Sequence, residues 1–278
     1  MGSFLSVGGG GEEAHSVKNS TAVINNISLP FTSEQSSSTS NIPVCMTHGL
    51  GSKNPRAKSH LNDDWLNQVL IPGSRKAQCP YVAYTTRGHG ESTGWEASAD
   101  TDIEQFQWKR LGSDMIEIAK FAGLNSFVAA GSSMGSATAL YAAIQNPAKV
   151  KGLILVRPPT AWKEREDRRK YLLASAGKCK ERHPEEKNFL VLEGTAYSDL
   201  PPKEQSRVYS AVQCPVLILA LKGDEGHPLS TAYALSKLLK QSVLHVAESE
   251  SAANRQWPAI IANFLREVSS DSRFGSSF

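Results

Sequence analysis

Gly131-Ser132-Ser133-Met134-Gly135 lies between a short apolar run, Phe127-Val128-Ala129-Ala130, and an alanine-rich stretch, Ser136-Ala137-Thr138-Ala139-Leu140, that reads as a helix. A strand that turns at once into a helix strains the central residue of the turn, and flanking glycines let the two elements approach without a Cβ between them. Ser133 would then stand alone above the end of a sheet, with the helix N-terminal amides aimed at the same spot and favouring negative charge there. This is a setting for a nucleophilic hydroxyl; a tight turn without chemistry is the alternative. His48-Gly49-Leu50-Gly51 follows a second apolar run, Val44-Cys45-Met46-Thr47. Its glycines permit a turn that presents the Leu50 N–H opposite the N–H of Met134, and two such donors would hold an oxyanion. His48 itself reads as a support for that turn rather than as a base.

The elements that must position these groups follow from periodicity. From Ile42 onward, short apolar runs (Pro43–Thr47, Tyr81–Thr85, Phe127–Ala130, Leu153–Val156, Pro215–Leu221 and Val243–Ala247) alternate with helical patterns at Leu61–Leu70, Ile103–Phe121, Ser136–Ile144, Thr231–Leu239 and Pro258–Val268. Such alternation predicts an α/β domain, a mostly parallel sheet flanked by helices. Residues 1–41, rich in glycine and serine, read as a flexible tail in which only Thr21–Phe31 has an edge-strand pattern. Residues 42–278 form the domain, and a helical lid over about 160–212 interrupts its alternation. The part of that insertion from Trp162 to Lys187 holds nine basic and six acidic side chains, an excess equal to the chain's net +3. A solvated helix face and a surface that attracts acidic groups are both compatible with it.

Composition excludes several classes. With 40% hydrophobic residues among 278, the chain can bury a sizeable core. Its longest clean apolar run, Val216–Leu221, is far below the roughly 18 residues a membrane span needs. A net charge of +3 without a basic stripe argues against a nucleic-acid partner. The four cysteines, Cys45, Cys79, Cys179 and Cys214, have neither CxxC nor metal-ligand spacing, which suits reduced thiols in a cytoplasmic protein without a metal. Met1-Gly2-Ser3-Phe4-Leu5-Ser6 satisfies the myristoylation pattern at Gly2, a lipid anchor to be set against an unmodified tail.

Taken together, HGLG after one strand, Thr86-Arg87-Gly88-His89-Gly90-Glu91-Ser92 after the next, GSSMG after the third and Gly223-Asp224-Glu225-Gly226-His227-Pro228 after a late strand resemble the serine-nucleophile branch of the α/β-hydrolase superfamily, over about Ile42–Leu265. The resemblance implies Ser133 as nucleophile, the Leu50 and Met134 amides as oxyanion hole and Asp224 as the acid, with no cofactor. The family's histidine, expected in the loop Glu248–Gln256 before the final helix, has no counterpart: about Ala253 stands in its place. Serine needs a base within hydrogen-bond reach. His15 lies in the tail, His60 and His183 read as exposed, His245 lies in a strand and His89 in a structural loop, leaving His227, three residues after Asp224, as base or as packing residue. The expected activity is hydrolysis of a small-molecule ester, thioester or lactone through an acyl-serine. The alternatives are a non-catalytic binding protein that has lost its base and, more remotely, cofactor-free acyl transfer.

Overall fold

The structure, a computed structural model, is described over residues 17–36, 41–51, 60–96 and 102–271. The myristoylation pattern at Gly2 lies outside these residues. Eight strands form one sheet: β1 (Val17–Ile24), β2 (Ile27–Glu34), β3 (Val44–Thr47), β4 (Tyr81–Tyr84), β5 (Phe127–Ser132), β6 (Val150–Val156), β7 (Val216–Leu221) and β8 (Ser242–Ala247). They lie in the order β1-β2-β4-β3-β5-β6-β7-β8. Strands β3 to β8 are parallel, and the β1–β2 hairpin adds antiparallel to β4. The helices are α1 (Ile71–Lys76), α2 (Trp108–Phe121), α3 (Met134–Gln145), α4 (Arg165–Arg182), α5 (Phe189–Ala196), α6 (Ser206–Tyr209), α7 (Leu229–Leu238) and α8 (Glu250–Ser270).

The continuous apolar runs of β5 and β7 are explained by burial on both faces, as parallel sheets require. On one face Cys45, Ala129, Leu155 and Ile218 pack with Leu111 and Met115 of α2, Leu140 of α3 and Leu235 of α7. On the other, Val44, Met46, Ala130, Ile154 and Leu219 pack with Leu70, Trp257, Ile261 and Leu265. Strand order reverses around β3, whose neighbours are β4 and β5. At such a switch point, loops leave the carboxyl ends of adjacent strands in opposite directions and open a crevice. His48–Gly51 and Ser133 stand at its edge.

Three sequence readings are corrected. Residues 17–34, assigned to the tail with a single edge strand, form two paired strands joined at Asn25-Asn26. Both asparagines have positive φ (50° and 66°), the conformation a two-residue hairpin turn requires. The final helix begins at Glu250 rather than Pro258, because Ser249 caps it by accepting the Ala252 N–H at 3.2 Å. His60 is buried, not exposed: its Nδ1 lies 2.6 Å from Thr85 Oγ1 and its Nε2 2.9 Å from Thr32 Oγ1, and burial lowers its pKa to about 4.

Candidate active site

Ser133 occupies the turn between β5 and α3 with φ +51° and ψ −115°. A Cβ at Gly131 would collide with the backbone of Gly135, and one at Gly135 with the carbonyl of Thr47, so both glycines are required by close approach. The Ser133 N–H donates to Val156 O at 2.9 Å, tying the turn to the end of β6. Helix α3 starts at Met134, whose N–H points out of the first turn with no helical acceptor behind it.

The second loop meets the first. A Cβ added at Gly49 would sit 3.2 Å from Ser133 Cβ, so the 49–50 backbone runs against the serine. His48 fixes this loop through its tautomer. Its Nε2 accepts the Thr86 N–H at 3.1 Å, so Nδ1 carries the proton and donates to Gly49 O at 2.8 Å. With the Gly49 carbonyl held on that side, the trans peptide turns the Leu50 N–H the other way.

Asp63, which the sequence reading passed over, supports the same loop from below. It is buried, accepts the Gly49 N–H through Oδ2 at 2.9 Å and the Leu66 N–H through Oδ1 at 3.0 Å, and lies 3.2 Å from Ser132 Oγ. Aspartate just before an apolar helical run is a capping signal, and it was available in Asn62-Asp63-Asp64.

The loop between β7 and α7 holds Asp224 and His227. A turn in which the His227 N–H donates to Asp224 O at 3.1 Å sets both side chains on one side. His227 Nε2 lies 2.7 Å from Ser133 Oγ, and Nδ1 lies 2.9 Å from both Asp224 oxygens. A carboxylate only accepts, so Nδ1 is the protonated nitrogen and Nε2 is free to accept the serine proton. Burial lowers the His227 pKa; the Asp224 carboxylate opposes this, and Arg157 and Arg168 reinforce it, with a net fall that keeps the imidazole neutral. For Asp224, burial would raise the pKa, but His227 and Arg157 outweigh it and bring it down to about 2. Arg157, also missed in the sequence, donates to Asp224 Oδ2 from Nε at 2.6 Å and lies 2.5 Å away through Nη2.

The position expected for the family's base is inert. Ala253 is fully buried near the start of α8, in the same core layer as Trp257. His89 contacts Thr86 Oγ1 and Arg87 O, while His183 is exposed beside Glu185 and Glu186. His227 is the histidine hydrogen-bonded to Ser133.

Between β6 and β7 the insertion is helical. Helices α4 and α5 share a small core of Leu172, Ala176, Leu192 and Ala196, against which Leu50 packs. Its root is held by buried Arg165, which donates to Ser198 O at 2.8 Å and to Thr195 O and stacks 4.5 Å from the Trp108 ring. Among the described residues no helix is long and apolar enough to cross a membrane.

Residues 42–178 match the family model for the α/β hydrolase fold. Solved structures agree in fold across nearly the whole chain. An esterase from Thermogutta terrifontis, solved with malate bound, aligns with TM-score 0.65 at 16% identity, covering 91% of this chain and 100% of its own. A proline iminopeptidase from Mycobacterium smegmatis gives 0.65 at 13% over 91% and 99%. The enol-lactonase from Burkholderia xenovorans LB400 gives 0.62 at 14% over 91% and 100%. No curated protein matches the sequence. The chain has the fold of the α/β-hydrolase superfamily.

Proposed function

We propose that the protein is a serine hydrolase that cleaves a small-molecule ester, thioester or lactone, with Ser133 as nucleophile, His227 as base and Asp224 as the acid that orients it. The observation that carries this reading is the 2.7 Å contact between His227 Nε2 and Ser133 Oγ, with Nδ1 engaged by Asp224. Ser133 Oγ attacks the carbonyl carbon as its proton passes to His227 Nε2, and the oxyanion is met by the N–H groups of Leu50 and Met134. Nε2–H then protonates the leaving alkoxide or thiolate as the carbonyl reforms, giving the acyl-serine; for a lactone the leaving oxygen stays tethered to the acyl chain. A water, deprotonated by the same nitrogen, adds to the acyl carbon and releases the acid. Residues 160–212 form the lid in this reading, with Leu50 linking the oxyanion loop to the α4–α5 core. The similarity of the fold to an esterase and a lactonase supports the reaction class. A cytoplasmic protein, anchored when Gly2 is myristoylated, fits the same proposal, and mass spectrometry of the native N-terminus tests the anchor.

A fluorophosphonate probe tests the chemistry. It is expected to label Ser133 far faster than exposed serines, and Ser133→Ala and His227→Ala are each expected to abolish that rate. Labelling no faster than at exposed serines, with the fold intact, would establish instead the non-catalytic binding protein that the alanine at 253 favours.

A further inference from the structure

We propose that Arg157 is a positioning residue that holds the Asp224 carboxylate toward His227, so that acid and base operate from a single short turn; this rests on the serine-hydrolase reading above. Asp224 and His227 are three residues apart on one loop, and a carboxylate on a one-carbon stem there can swing out to solvent. Its partners among the described residues are His227 and Arg157. Arg157 directs both Nε and Nη2 to Oδ2, which leaves Oδ1 without an arginine donor and open to His227 Nδ1 at 2.9 Å.

The fold supplies Arg157 at the right place. It follows β6, which lies between the strand that leads to Ser133 and the strand that leads to Asp224. Its own N–H donates to Leu219 O at 2.7 Å, while the preceding carbonyl, Val156 O, accepts the Ser133 N–H. Its φ is +51°, a region that residues with side chains rarely occupy, so its neighbours hold it against a local backbone preference. The guanidinium lies 4.6 Å from the Trp65 ring centre, and Trp65 packs 5.3 Å from Trp257, one turn beyond Ala253 on α8. A planar cation braced by an indole is fixed in orientation as a lysine would not be. The charged and titratable groups around His227 are Asp224 on its own loop, Ser133 on the elbow, Arg157 after β6 and Arg168 from α4.

The test uses the full chain with Arg157→Gln and Arg157→Lys, each checked for fold by circular dichroism, and two readouts: the pH profile of fluorophosphonate labelling at Ser133 and the titration of His227 followed by nitrogen-15 NMR. In Arg157→Gln the plateau rate is expected to fall by about 10- to 100-fold. The nitrogen-15 shifts of His227 should pass from a single Nδ1–H tautomer to a mixture of the two, because the carboxylate that holds that proton is no longer aimed at it, whereas removal of the charge alone would raise the midpoint and leave the tautomer unchanged. Arg157→Lys is expected to keep the midpoint near that of the wild type and to recover only part of the rate, since charge returns without the fork. Trp65→Leu should produce a smaller loss in rate, and it carries the test if both arginine variants misfold. Folded variants with the wild-type rate and the wild-type His227 tautomer would overturn the proposal, as would a loss confined to the KM of anionic esters, which would make Arg157 a substrate contact. If wild-type labelling is no faster than at exposed serines, the hydrolase reading fails separately. The NMR measurement still decides the point, because an unchanged Nδ1–H tautomer of His227 in Arg157→Gln excludes positioning wherever the midpoint lies.

Discussion

Two arginine–carboxylate pairs sit at the carboxyl ends of sheet strands, and they are built differently. Arg87 reaches Asp114 with Nε on Oδ2 and Nη2 on Oδ1, both at 2.6 Å, and the two side chains are 1% and 2% exposed. Both carboxylate oxygens are taken by the fork, and the pair is sealed. Arg157 places its two donors on one oxygen of Asp224, and those side chains are 16% and 10% exposed. Half of that carboxylate is left for His227. A bidentate pair that saturates its partner makes scaffold, whereas a fork on a single oxygen leaves a base to be oriented. Burial and charge alone would not separate the two; the count of oxygens left open does.

The sharpest way to break the comparison is to neutralise each acid. Asp224→Asn should lower fluorophosphonate labelling by about 10,000-fold with the fold retained, because an amide can hold the wrong imidazole tautomer. A mild loss would mean that His227 is oriented by something other than Asp224. Arg87→Ala, by contrast, leaves the Asp114 charge buried with only the half-exposed Arg110, 4.0 Å away, to offset it, and should cost about 3 kcal/mol in urea unfolding, while the folded fraction still labels at Ser133. A third, smaller effect is in pH. The Asp224 pKa is depressed from 3.8 to about 2, so its contribution to stability is fully present above 3.8 and lost as pH falls through 2. That contribution is about 2 kcal/mol, read as the narrowing gap between wild type and Asp224→Asn in urea midpoints from pH 5 to pH 2.5. The His227 pKa is also lowered, so the acid limb of labelling should lie below pH 6.5; a limb above it would mean that burial does not control the imidazole. Smallest of all, Lys222→Ala removes a solvent-exposed pair with Glu248 and should leave the Tm unchanged.

Much of this was legible in the residues. Strands β3, β4, β5 and β7 announced themselves because burial on both faces leaves them almost wholly apolar, whereas β8, a partly exposed edge strand, showed only as a short apolar run; the elbow showed because strand, glycines and helix are contiguous. What escaped depended on groups far apart in sequence. Arg157 reads as the polar end of an apolar strand until the sheet order sets it beside a residue 67 positions later. His60 looked solvated because its neighbours in sequence are polar, yet the hydroxyls that bury it come from Thr32 and Thr85. The hairpin was missed because Asn-Asn turns on positive φ without a glycine to mark it. The early start of α8 was masked by Pro258, which suggested a first turn although about two turns of helix precede it.

Ala253 has a further consequence. With no side chain on α8 hydrogen-bonded to Ser133, Asp224 or His227, that helix answers only to the volume and polarity of the layer it covers. Substitutions there are free to drift as long as Trp257, Ile261 and Leu265 keep their space filled. In this chain, variation on α8 and β8 away from Trp257, which backs the Trp65 ring beneath Arg157, should alter how long the protein lasts and not what it does.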